Sequence, residues 1–115
     1  MKLIEPHFDK LIGTYPDFWD SKETPREFYD RTYETIKDCD LFIAEISKSS
    51  VGVGMEMQMG QQYSIPVIAL CKSGVDPSPM SLGLPMLKRV IKYKNLSDLD
   101  KQLLAAIEDY KAGKL

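Results

Sequence analysis

The sequence has little of what metal and redox centres are built from. It carries two cysteines, Cys39 and Cys71, and one histidine in 115 residues. The cysteines lie far apart with no CxxC, so no zinc site is expected. Both sit in or beside apolar runs, which reads as buried free thiols in a reducing compartment and hence a cytoplasmic protein. No basic block is present: 15 Lys and Arg face 17 Asp and Glu, for a net charge of −2. Nucleic-acid binding by phosphate neutralisation is therefore not expected. No apolar run approaches the length of a membrane span, and "MKLIEPHFDK" is too weakly apolar for a signal peptide. Repeats, low-complexity tracts and linkers are absent as well. What remains is an ordinary globular composition, 43% hydrophobic and 28% charged, in a chain that suits one domain, 1–115, with a core of its own.

Two almost continuous apolar runs of strand length stand out, "LFIAEI" at 41–46 and "PVIALC" at 66–71. Such runs suit strands buried on both faces of a parallel sheet. Residues 53–65 between them are helical in length and in methionine spacing, which gives strand, glycine loop, helix, strand: a βαβ unit. "KLIE" at 2–5 and the more polar "RVIKY" at 89–93 are further strand candidates, the latter nearer an edge. "LIGTYPDFWDSK" at 11–22 reads as a loop. "TPRE" at 24–27 is a helix start, with Thr24 as cap, Pro25 at the first position and Glu27 completing a capping box. Phe28, Thr32 and Ile36 then share one face, and the helix spans 24–38. A terminal helix at 97–112, capped by Ser97, carries the stripe Leu99, Leu103, Ile107 and Tyr110, with Gly113 behind its last turn. The Pro- and Ser-rich stretch after Cys71 is a loop at the carboxyl end of a strand, where open α/β sheets take their ligands.

The chemistry-bearing stretch is "KSSVGVGMEMQMG", 48–60. Gly52 and Gly54 are expected to free the backbone and admit a ligand close to it. The helix behind them points unpaired N–H groups at the loop, which favours an anion such as phosphate. The stretch is neither a Walker A loop, lacking Gly-Lys-Ser/Thr, nor a GxGxxG fingerprint. Glu56 is read at the helix start, where the dipole favours a carboxylate whatever the protein does. Met55, Met57 and Met59 fit core filler, and Gly60 fits close helix–sheet packing.

The stretch "DCDLFIAEISKSSVGVGMEMQMG", 38–60, resembles the signature of the nucleoside 2-deoxyribosyltransferase-like proteins, and within them the 2′-deoxynucleoside 5′-monophosphate N-hydrolase branch. The match is ungapped from Asp40 to Gly60, and "LIEPHFD" resembles the family's second strand and following histidine. The resemblance implies a three-layer, flavodoxin- or Rossmann-like α/β fold with a parallel sheet. By position Glu56 matches the family nucleophile, which attacks C1′ of a 2-deoxyribosyl group to form a glycosyl–enzyme ester. Ser50, six residues earlier, matches the serine of the monophosphate hydrolases, where the nucleoside transferases carry an Asp. A serine donates to a 5′-phosphate that a carboxylate would repel. Ser50, Gly52 and Gly54 are thus the implied substrate-binding residues and a deoxynucleotide the implied ligand. Neither metal nor organic cofactor is implied, and a homodimer is. Asp40 and Glu45 match acidic positions read as structural.

Two positions depart from the pattern. The family's second catalytic Asp falls on Thr32. The family's first strand and helix have no counterpart before "MKLIEPH", so a truncated chain or a sheet completed by a partner subunit is expected. Three readings follow: an N-glycosidase or transferase working through Glu56, a nucleotide-binding module that kept the loop and lost turnover, and a plain interaction domain of this topology.

Overall fold

The computed structural model describes residues 21–115. The strand expected at 2–5 and most of the loop expected at 11–22 lie outside them. The order is α1 (Pro25–Lys37), β1 (Phe42–Glu45), α2 (Val51–Gln62), β2 (Val67–Lys72), the short α3 (Pro79–Leu82), β3 (Leu87–Tyr93) and α4 (Leu96–Lys111). The strands form a parallel sheet in the order β1-β2-β3. Phe42 pairs with Val67 and Glu45 with Leu70, so β1 and β2 run in step; β2 continues two residues further and ends level with β3, Lys72 opposite Tyr93.

Local sequence explains each start. At α1 the reciprocal box forms: Glu27 N–H donates to Thr24 Oγ1 at 3.1 Å and Thr24 N–H to Glu27 Oε1 at 3.0 Å. At α4 the cap is Asn95, whose Oδ1 accepts from Asp98 N–H at 2.9 Å. Ser97 lies inside the helix, because Asn95 offers an equally good cap two residues earlier. At its other end Gly113 takes φ +72°. Gly113 N–H donates to Tyr110 O and Lys114 N–H to Asp109 O, the paired bonds of a Schellman stop. Ser78 caps α3 with Pro79 at its first position, a turn of helix inside a stretch expected to be loop.

The period-two alternation of the strands divides the core. Phe42, Ala44, Val67, Ala69 and Cys71 face Ile36 of α1 and Met57 and Met59 of α2. Leu41, Ile43, Ile68, Leu70, Ile91 and Tyr93 face Leu99 and Ala106 of α4. The fold is therefore helix, sheet, helix in three layers, the α/β architecture expected. β2 is central and buried at every position except Lys72, while β3 alternates more, as its polar sequence predicts for an edge. Cys39 and Cys71 are free and buried. Met57 and Met59 are core residues; Met55 is half exposed, on the outer side of α2. At Gly60 an added Cβ would find Val67 Cγ2 at 3.8 Å, ordinary contact, so helix and sheet are close there without requiring glycine.

Candidate active site

Parallel strands leave a crevice outside their carboxyl ends, and the chain lines its rim with serines. β1 ends at Glu45, and five residues later Ser50 caps α2, its Oγ accepting from Val53 N–H at 3.2 Å. β2 ends at Lys72 and leads into a loop whose Val75 carbonyl is held by Lys92 Nζ of β3 at 2.5 Å. That bond fixes the approach to Asp76–Ser81. Between the two walls lies a cleft of about 360 Å³. On one side stand Ser47, Lys48, Ser49, Ser50, Val53 and Gly54, on the other Asp76, Pro77, Ser78, Met80 and Ser81. The loop at the end of β2 was expected at the ligand crevice from its position; the individual serines across the cleft, Ser78 and Ser81, carried no signal beyond it.

Of the four site residues expected from the sequence, Ser50 and Gly54 line the cleft, and Gly52 and Glu56 do not. The glycines play a different part from the one anticipated. The helix begins at Val51, so Gly52 and Gly54 are helical residues, and neither takes a positive φ. Gly54 matters by size: nothing lies within 4 Å of where its Cβ would stand. Gly54→Ala should accordingly stabilise the chain by about 0.5–1 kcal/mol in urea unfolding, because a helical glycine is replaced in open space. Gly54→Leu should stay folded and obstruct the cleft.

Glu56 also stands elsewhere than expected. It is the sixth residue of α2, and the first turn holds no acid. The dipole acts mainly within that first turn, so it cannot be what sets the state of this carboxyl. Burial does: Glu56 is 6% exposed, and desolvation pushes its pKa up to about 7, against the expectation of a carboxylate held ionised. Among the described residues it has no hydrogen-bond or ion partner. Its one companion in kind is Thr32 of α1, 7% exposed; these are the two buried polar side chains of the described residues, and the helices that carry them pack together. Thr32 points inward as the α1 stripe predicts.

Asp40 and Glu45 differ from one another. Tyr110 donates to the Asp40 carbonyl at 3.2 Å, while one carboxylate oxygen of Asp40 is buried without a partner. Both oxygens of Glu45 are used, by Ser47 N–H at 2.6 Å and the Tyr93 hydroxyl at 2.5 Å. Among the described residues no group of three Cys, His, Asp or Glu side chains is placed to hold a metal ion, and no helix is long and apolar enough to cross a membrane.

No family model matches the chain. It is 39% identical over 74 residues to a protein of Syntrophotalea carbinolica named "Putative 2'-deoxynucleoside 5'-phosphate N-hydrolase 1", covering 62% of this chain and 51% of that one. A protein of the same name from Methanosarcina mazei is 38% identical over 66 residues, covering 57% and 41%. The chain thus spans about half the length of the curated relatives it matches. Its fold resembles that of a CMP N-glycosidase from Clostridium botulinum, with a TM-score of 0.62 at 24% identity over 69% of this chain and 73% of the other. At that identity the likeness shows a shared fold alone. The curated relatives bear out the resemblance read from residues 38–60.

Proposed function

We propose that this chain serves to cleave the N-glycosidic bond of 2′-deoxynucleoside 5′-monophosphates, with Glu56 as nucleophile. The carboxylate attacks C1′, the C1′–N bond breaks and the base leaves, taking a proton. Water then hydrolyses the ester to the sugar phosphate and regenerates Glu56. The observation that carries this reading is a buried carboxyl with no hydrogen-bond or ion partner among the described residues, on the helix whose first turn lines the serine-rich cleft. A buried acid without a partner costs stability, and a reaction in which it becomes covalent is a reason to keep it. The phosphate falls to Ser50 and the N-terminal amides of α2. The names of the curated relatives and the ungapped motif both support the same reaction class. A homodimer and a cytoplasmic location belong to this reading, and light scattering on the purified chain checks the first.

A second reading has specific support. Glu56 is not on the cleft wall, and Thr32 occupies the place of a second carboxylate, as a nucleotide-binding module without turnover would have it. Chromatographic detection of free base from a panel of deoxynucleoside monophosphates separates the two. Release supports the enzyme; tight binding without release supports the module.

The ligand class has its own test. Ser50→Asp keeps the helix cap, since Asp serves that position as well as Ser, and changes only the charge beside the phosphate. The wild-type chain should bind monophosphates more tightly than free nucleosides in calorimetry. Ser50→Asp should cost monophosphate affinity about ten- to a hundred-fold, as a like charge a few ångströms away would, and reverse the order. Equal affinities in the wild-type chain would remove the phosphate from this reading.

A further inference from the structure

The carboxyl ends of all three strands are tied by a run of hydrogen bonds that the reaction does not use. From β3 the Tyr93 hydroxyl donates to Glu45 Oε2 at 2.5 Å. Glu45, at the end of β1, accepts Ser47 N–H on Oε1 at 2.6 Å. Ser47 Oγ accepts from Lys72 N–H, at the end of β2, at 2.8 Å. Ser47 is thus held at its amide and at its side chain. Only Lys48 and Ser49 separate it from Ser50. Ser47 lines the cleft and Glu45 does not.

We propose that Glu45 and Tyr93 are positioning residues: they clamp Ser47 and so set the serine loop that meets the phosphate. The inference rests on the monophosphate reading of the cleft. A carboxylate with both oxygens engaged is fixed in rotation, and bonds to an ionised acceptor are shorter and stronger than neutral ones. Tyr93 is 8% exposed, and burial raises its hydroxyl above the usual tyrosine range, so it stays protonated and keeps donating. Lys72 N–H supplies the opposing hold from the central strand, which is the most deeply buried of the three. The loop is therefore referenced to the rigid sheet, and a loop so referenced presents its hydroxyls in one arrangement.

Tyr93→Phe removes one hydroxyl and keeps the ring in the core. Two measurements on the purified chain test the clamp. Hydrogen exchange at the Ser47 amide should rise about ten-fold, and so should the dissociation constant for a deoxynucleoside monophosphate, the size of one lost bond to a charged group. Affinity for the unphosphorylated nucleoside should not change. Glu45→Ala should do the same, and Glu45→Gln should be milder, since its amide still accepts from Ser47 and turns its NH₂ to the Tyr93 oxygen. Unchanged exchange at Ser47 in Tyr93→Phe overturns the clamp. So does an equal loss of affinity for nucleoside and monophosphate, which would mean a general loosening. If the wild-type chain binds no monophosphate, the reading of the cleft falls instead, and the exchange result alone decides whether Ser47 is clamped.

Discussion

Glu56→Gln should abolish release of free base while monophosphates continue to bind. Gln fills the same volume, so packing against the neighbouring core is kept. It is a far poorer nucleophile than a carboxylate and cannot form the ester. The expected loss is on the order of 10³-fold or more in rate, by analogy with other removals of a covalent nucleophile. Chromatographic release assays measure it, with calorimetry on the same variant as the control for binding. Base release that survives the substitution unchanged would show that Glu56 is not the nucleophile. The wild-type rate should itself depend on pH. With a pKa of about 7, the reactive form gains population ten-fold per pH unit below neutrality and levels off above it, so kcat/KM should climb through the acid range and flatten beyond pH 7. Thr32→Asp would place a second carboxyl on the buried face of α1. If the want of that group limits the rate, the variant should be faster.

Glu56→Gln should also make the protein more stable, and only at high pH. The folded-state pKa of Glu56 is raised to about 7 from an ordinary 4.5. Below pH 4.5 the carboxyl is protonated folded and unfolded alike and costs nothing. As pH rises from there towards 7 the unfolded chain releases the proton first, and the folded state loses stability steadily until its own carboxyl ionises. Integrated over that window the loss is on the order of 3 kcal/mol, a large part of the 5–15 kcal/mol typical of a domain. Gln does not titrate. Urea unfolding should therefore show Glu56→Gln and the wild-type chain level near pH 4 and apart by about that amount at pH 8, the variant the more stable. A constant difference across the range would mean that Glu56 is not a desolvated acid. Lost turnover together with alkaline stability gained by one substitution is the pattern of a group kept for chemistry at the expense of the fold.

The amino-acid sequence by itself determined the layers and the end of the sheet that carries the cleft. Two apolar runs with the right length, a capping box at Thr24, a glycine stop at Gly113 and a polar third strand are local signals. Each specifies an element through hydrogen bonds, backbone preference and apolar patterning within a few residues of itself. The motif at 48–60 placed Ser50 and Gly54 on the cleft wall because the distance from strand end to helix cap is short and fixed. Tertiary structure decided what depends on neighbours distant in sequence. Ser50 proved to be the cap itself, which moved Gly52 and Gly54 into the helix and Glu56 out of the first turn. Glu56 then owes its state to burial and not to its own helix dipole. Burial is a sum over residues far apart along the chain, and no local pattern around position 56 contains it. The Tyr93–Glu45–Ser47 clamp was equally out of reach, since the parallel register of β1, β2 and β3 brings together groups 48 residues apart.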